Sequence, residues 1–115
     1  WSDYAGHVPF HTGNWGFRPS IDETFKVAYH SSAKGNESNW RNPDLDALID
    51  SASGERDPQK RLTLYQQAQQ LLMEDGAVII PYFKPTMMAM RSDVQGLTLH
   101  PAGWLDFRTV TLAAS

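Results

Sequence analysis

A tryptophan and an arginine in the segment Asn14–Pro19 are the side chains best suited to contact a ligand. The indole of Trp15 can cover an apolar surface or the face of a sugar ring. The guanidinium of Arg18 presents a planar fork that matches a carboxylate or a phosphate. The structural alternative places Trp15 in a small core and Arg18 in an ion pair, and it stays open. We predict that both residues bind ligand.

A polar loop, Ser31–Arg41, supplies two further candidates. It precedes a predicted helix start, and loops in that position often carry ligand-contacting side chains. Asn36, Asn39 and Trp40 are its amide and aromatic residues. The predicted binding set is Trp15, Arg18, Asn36 and Trp40.

Metal and cofactor chemistry are not predicted. His7 and His11 have the four-residue spacing that puts two metal ligands on one helical face, but Pro9 between them disfavours that helix. The chain has no cysteine, which excludes thiolate ligands and disulfides. We therefore expect no metal site, no cofactor and no catalytic residue.

Two alternatives to a ligand-binding role stay open. The first is a hydrolase that uses His30 or His100 with a nearby aspartate, although no serine has a nucleophile-elbow context and no glycine-rich phosphate loop occurs. The second is a stand-alone interaction module whose partner covers exposed strand edges.

Length, composition and charge indicate which general classes of protein this chain can belong to. The length of 115 residues, with 41% hydrophobic and 20% charged residues, fits one globular domain with a modest core. Acidic and basic residues are interspersed and the net charge is −3, so no nucleic-acid partner is predicted. The longest apolar run, Ala77–Ile80, stops at Pro81, so no transmembrane segment is predicted. The first residues, from Trp1 to Tyr4, have neither an initiator methionine nor the pattern of a signal peptide. We therefore expect the chain to begin within a protein or after processing.

Three segments predict helices, because each begins at a side chain that can cap the first turn. Pro43 and Pro58 each follow a cap at the first helical position, where proline costs no hydrogen bond. Apolar residues then recur at helical spacing. The helices run from Ser20 to about His30, from Asn42 to Gly54, and from Asp57 to Gly76.

After Gly76 the apolar residues occur in short runs that predict strands. Prolines interrupt these runs and place them at sheet edges or at crossings between layers. The predicted strands are Ala77–Phe83, Met87–Met90, Gly96–Leu99 and Phe107–Leu112, with a further short strand near His11–Phe17. The fold class is α/β, with helices packed on a small mixed sheet.

Five motifs in this order resemble the C-terminal region of the large extracellular solute-binding proteins, which capture peptides, nickel complexes, opines or oligosaccharides for ABC importers. The resemblance extends over nearly the whole chain, and Asn14–Pro19 resembles a signature near the ligand cleft of one subgroup. The motifs are Asn42–Ile49, Arg56–Tyr65, Glu74–Pro81, Val94–Leu97 and Phe107–Val110.

The resemblance implies a fragment of a two-lobed periplasmic binding protein fold, closing on its ligand by a hinge. Residues 1–85 would belong to the second lobe, and residues 86–115 would form a crossing strand and the return to the first lobe. The implied partners are a small-molecule or peptide ligand, an ABC transporter permease and the remainder of the parent chain. The implied location is periplasmic or extracellular, with a lipid anchor in a Gram-positive source.

The fragment interpretation predicts self-association. Surfaces that face the rest of the parent would be bare in the 115-residue chain and open to a second copy, giving a homo-oligomer. Light scattering on the purified chain at rising concentration should show dimers or larger species. A monodisperse monomer at high concentration would count against it.

Overall fold

A computed structural model describes residues 7–100 and 102–113 of the chain. The regular structure of these residues consists of three helices and one small sheet. The chain divides into two compact units, Trp1–Ile79 and Ile80–Ser115. Helices α1, α2 and α3 lie in the first unit, and strands β1 and β2 lie in the second. Their bounds are α1 Ile21–Ala28, α2 Pro43–Gly54, α3 Pro58–Asp75, β1 Val94–Gln95 and β2 Thr111–Leu112.

All three predicted helices are confirmed, together with their caps. The Ser20 hydroxyl accepts from the backbone N–H of Glu23 at 3.1 Å and begins α1. Asn42 Oδ1 accepts two first-turn amides, at 2.9 and 3.2 Å, and begins α2. Asp57 Oδ1 does the same for α3 at 2.8 and 3.2 Å. Each cap satisfies amides that have no partner inside the helix.

The core of the first unit lies among the three helices. Its buried residues are Phe25 of α1, Leu45, Ile49 and Ala52 of α2, and Tyr65, Ala68 and Leu72 of α3. The Phe25 ring stacks on Tyr65 at 5.8 Å between centroids and 13° between planes. Helix α2 has its most extensive contact with α3, and α1 packs on α2. The apolar stripes read from the sequence therefore face one another.

A polar network ties α1 to both other helices. The Tyr65 hydroxyl donates to Asp22 Oδ1 at 2.8 Å, and Lys26 Nζ lies 3.2 Å from Asp22 Oδ2 and donates to the Ser53 hydroxyl. Burial alone would raise the pKa of the Asp22 carboxyl, but hydrogen bonds from Tyr65, Lys26 and Ser53 outweigh it and lower that pKa. The network thus holds Asp22 ionised at the junction of the helices.

The α/β class is confirmed, but most of the predicted strands are wrong. Val94 pairs with Leu112 and Gln95 with Thr111 in one antiparallel ladder, not in a mixed sheet. Among the described residues, no strand covers 77–83, 87–90 or 96–99, the predicted strand 107–112 is reduced to its last two residues, and 11–17 is irregular.

The reason is the lack of a pairing partner. A strand forms only where a second backbone completes its hydrogen bonds, whatever its side chains favour. Pro81 and Pro85 also remove two donors from the run that would have to pair. The apolar side chains there lie open instead, and Phe83 is 88% exposed.

Truncation of Leu45 tests the helix packing. Leu45 is 0% exposed, whereas Leu62 on α3 is 45% exposed. We expect Leu45→Ala to lower the free energy of unfolding by about 2–5 kcal/mol through lost burial and a cavity. The matched Leu62→Ala should cost about 1 kcal/mol or less. Urea unfolding followed by circular dichroism measures both, and equal losses would contradict the packing.

Alkaline pH should destabilise the helix core through Tyr65. Burial, the hydrogen bond to Asp22 and the charge of that carboxylate raise the pKa of Tyr65 to about 12. An unfolded tyrosine has a pKa of about 10, so above that pH the unfolded chain releases a proton that the folded chain retains. This contribution to stability is whole below pH 10 and is lost as the pH rises towards 12.

Tyr65→Phe isolates that contribution. The variant loses the hydrogen bond, but its stability should fall less steeply than that of the native chain between pH 10 and 12. Tyr82→Phe, at an exposed position of the second unit, is the control and should keep the native slope. Urea unfolding at several pH values gives the slopes, and identical slopes for all three proteins would refute the assignment to Tyr65.

Candidate functional site

Trp15 and Arg18 form a contact pair. The guanidinium carbon of Arg18 lies 5.6 Å from the centroid of the Trp15 ring, within reach of a cation–π attraction. Arg18 Nε is 3.8 Å from Glu23 Oε1, and its Nη1 donates to the Phe17 carbonyl at 3.3 Å. Trp15 is 39% exposed and the Arg18 side chain 33%. The pair therefore presents an aromatic face and a half-exposed cation side by side.

The other two predicted residues lie in one turn of the 31–41 loop. Asn36 Nδ2 donates to the Trp40 carbonyl at 2.8 Å, and Asn36 Oδ1 accepts from the Ser38 hydroxyl at 2.9 Å. That hydroxyl also accepts from the Trp40 amide at 3.2 Å. Trp40 is half-buried and packs against the helix core. Within this structure Asn36 shapes the turn and Trp40 covers the core.

The two candidate segments meet at Gly35. A Cβ atom placed on Gly35 would lie 3.0 Å from Cη2 of Trp15 and 2.5 Å from the Val27 carbonyl oxygen of α1. The Trp15 ring thus lies against the loop beside Asn36, while the loop lies against α1. The structure thus brings Trp15 against Gly35, which precedes the predicted residue Asn36 in the chain, and packs Trp40 on the core.

A second contact between the segments involves His11 and Glu37, which were not predicted as a pair. His11 Nε2 lies 3.1 Å from Glu37 Oε2, and the side chains are 24% and 14% exposed. Burial and the Glu37 charge also raise the pKa of Tyr29. The two residues are 26 positions apart in the chain, so no local pattern could have revealed their contact.

His30, the candidate base of the hydrolase alternative, has a serine on one side and two acids on the other. The Ser32 hydroxyl lies 2.7 Å from His30 Nδ1, and Nε2 lies 3.9 Å from Asp46 Oδ1 and 3.7 Å from Asp50 Oδ1. Asp46 Oδ1 accepts the Ser31 amide at 2.8 Å. Both carboxylates exceed hydrogen-bond distance from the imidazole, so neither orients it as a catalytic triad requires. The arrangement fastens the loop to α1 and α2.

The second unit contains an open groove of about 490 Å³ that sequence patterns did not indicate. His100 and Trp104 stack in it at 5.1 Å with their planes 6° apart. His100 Nδ1 accepts the Ala102 amide, so the histidine of this unit helps to shape a turn. The lining residues are Thr98, Leu99, His100, Trp104, Leu105, Asp106 and Arg108.

Neither a metal site nor a membrane-spanning helix is present in the part of the chain that the structure describes. Residues 7–100 and 102–113 hold no group of three or more His, Cys, Asp or Glu side chains arranged to bind a metal ion. His7 is exposed, and His11 contacts Glu37 rather than a second histidine. No helix among these residues is long and apolar enough to cross a membrane.

Several binding proteins are similar to this chain. The dipeptide-binding protein DppE of Bacillus subtilis (strain 168) is 31% identical over 85 residues, which are 74% of this chain and 16% of that protein. The probable D,D-dipeptide-binding periplasmic protein DdpA of Escherichia coli (strain K12) is 33% identical over 93 residues, 77% of this chain and 18% of that protein. The probable deoxycholate-binding periplasmic protein YgiS of the same strain is 28% identical over 96 residues, 84% of this chain and 18% of that protein.

The fold of this chain is similar to part of a solved structure. The structure of HbpA2 from Haemophilus parasuis matches with a TM-score of 0.59 and 25% identity, over 79% of this chain and 18% of that chain. The chain belongs to the extracellular solute-binding proteins. No family model matches it. The chain spans 16% to 18% of the length of the relatives named here.

Proposed function

We propose that this chain is part of a protein that captures a solute outside the cytoplasm and delivers it to the permease of an ABC importer. The observation that carries the proposal is the similarity to binding proteins over 74% to 84% of the chain. Residues 1–85 would lie in the second lobe, and residues 86–115 would cross to the first. The location would be periplasmic, or extracellular with a lipid anchor in a Gram-positive source.

Trp15 and Arg18 are the proposed ligand contacts. An aromatic face excludes water from an apolar or sugar surface, while the guanidinium can form two parallel hydrogen bonds with a carboxylate. Dipeptides and deoxycholate, the ligands in the names of three relatives, each carry a carboxylate. A solute with an apolar face beside an anionic group therefore suits this pair, and peptides and opines fit that description better than neutral oligosaccharides.

Asn36 and Trp40 have a less direct role in this proposal. Asn36 uses both ends of its amide inside the turn, and Trp40 packs on the core. A ligand would contact the turn that these residues shape, or displace the hydrogen bond from the Ser38 hydroxyl to reach Asn36 Oδ1. Both stay in the proposed site as residues of the surface beside Trp15.

Capture requires no covalent chemistry. A ligand that binds the closed arrangement of two lobes more tightly than the open one shifts the population towards closure, and the closed form docks on the permease. The three relatives described above are named as binding proteins rather than as enzymes, which supports a role without turnover.

Ligand screening on the parent protein tests the proposal. Peptides, opines, bile salts and sugars are screened by thermal shift, and a ligand raises the melting temperature when it binds the folded state alone. For a carboxylate ligand, Arg18→Gln should weaken binding about 10- to 100-fold, since a charge-assisted hydrogen bond is worth about 1.5–3 kcal/mol. Trp15→Ala should weaken it as well.

Lys60→Ala, a charge change on the exposed face of α3, is the matched control and should leave the affinity unchanged. A parent protein that binds none of these solutes but turns over a substrate, with turnover lost in His30→Gln, would instead establish the hydrolase alternative. Affinity that is the same in Arg18→Gln, Trp15→Ala and the native protein would remove both residues from the site.

A further inference from the structure

The segment from His11 to Arg18 has no helix or strand, yet it places an aromatic ring at a defined position. An irregular segment keeps such a position only where contacts from outside hold it. The segment contacts the 31–41 loop at two points, one at each end of the stretch that leads to Trp15.

The first point is an acid–imidazole contact with a glycine beside it. Glu37 Oε2 lies 3.1 Å from His11 Nε2, and the Glu37 side chain is 14% exposed. A Cβ atom on Gly13 would lie 2.8 Å from the same oxygen. Gly13 therefore leaves the space that the carboxylate occupies, and a side chain there would push the carboxylate away from His11.

The second point is the close approach at Gly35. A Cβ atom there would lie 2.5 Å from the Val27 carbonyl oxygen, a backbone atom of α1 that cannot rotate away, and 3.0 Å from the Trp15 ring. Only a residue without a side chain allows the loop to contact α1 and the indole at once. Any larger residue must move either the loop or Trp15.

We infer that the two contacts form a clasp, consisting of His11, Gly13, Gly35 and Glu37, that positions Trp15 for ligand binding. The clasp acts through Trp15, so its members are positioning residues. A ring that is held in place before the ligand arrives loses less freedom on binding, which raises affinity. The ligand part of this inference rests on the proposed function, whereas the placement of the ring does not.

The placement is tested first, without ligand. The indole N–H resonance of Trp15 is assigned in the 115-residue chain with Trp15→Phe and then compared among variants. Gly35→Ala and Glu37→Ala should shift or broaden it, because each removes one point of the clasp. Glu37→Gln keeps an acceptor for His11 and should remain close to the native spectrum. Gly54→Ala is the matched control, since a Cβ atom there meets no atom within 4 Å.

Gly13→Ala tests the clasp independently in case the Gly35→Ala variant does not fold. The three atoms nearest to a Cβ atom on Gly13 would all belong to the carboxylate of the flexible Glu37 side chain, so the chain should fold while the His11 contact is lost. A Trp15 resonance that is unchanged in both Gly13→Ala and Glu37→Ala would overturn the clasp.

The ligand part is tested in the parent protein with a carboxylate solute identified by the thermal-shift screen. Glu37→Ala should raise Kd about tenfold, and Glu37→Gln should recover most of that loss. Adding Glu37→Ala to Trp15→Ala should raise Kd no further, because Glu37 acts through the ring. Full additivity of the two losses would refute the positioning role.

The two proposals fail in different ways. A shifted Trp15 resonance together with an affinity that ignores Trp15→Ala would retain the clasp and remove Trp15 from the ligand site. An affinity that depends on Trp15 together with an unmoved resonance in the glycine and Glu37 variants would retain the site and refute the clasp.

Discussion

Phe25 is the buried aromatic residue that packs α1 on the helix core, and the position of α1 in the first unit depends on that contact. Its ring stacks on Tyr65 of α3, and the Tyr65 hydroxyl donates back to Asp22 of α1. The stack fixes how closely the helices approach, and the hydrogen bond fixes how α1 is rotated about its own axis. The Val27 carbonyl belongs to the same short helix and is the surface on which Gly35 rests. A loss at Phe25 would therefore reach the Trp15 site through the backbone of α1.

The helices could be predicted from the sequence because their signals are local. Asn42 and Asp57 each cap the amides two and three residues ahead, so a window of a few residues contains the interaction. The strands could not be predicted, because a strand is defined by a partner that sequence distance does not reveal. Val94 pairs with Leu112 across an irregular stretch, while the equally apolar run at Ile79 and Phe83 remains exposed. β-Propensity indicates that a residue fits a pleated sheet, but the neighbouring strands that form the sheet are not specified by propensity.

The candidate site likewise has residues that the sequence indicated and contacts that it did not. The types of Trp15 and Arg18 indicated ligand contact, and their three-residue spacing already brought them together. The contacts that hold them, at Gly35 and between His11 and Glu37, join positions many residues apart and follow no motif. A glycine in a polar loop is unremarkable until a helix carbonyl and an indole are found on either side of it. Trp40 has a different setting, since this aromatic residue of the loop packs on the helix core.

The electrostatic setting of Arg18 explains how the site could exchange an internal partner for a ligand. The acid paired with it, Glu23, is 3.8 Å away, half exposed, and lies in the first turn of α1, where the helix dipole also stabilises a carboxylate. An exposed ion pair of that length contributes at most about 1 kcal/mol. A ligand carboxylate that bonds both guanidinium nitrogens would therefore gain more than the pair loses, while Glu23 would keep its interaction with the helix terminus. If Arg18 instead had a buried, bidentate internal partner, a ligand would gain no affinity by replacing it. Breaking such an ion pair would leave a desolvated charge on the internal partner.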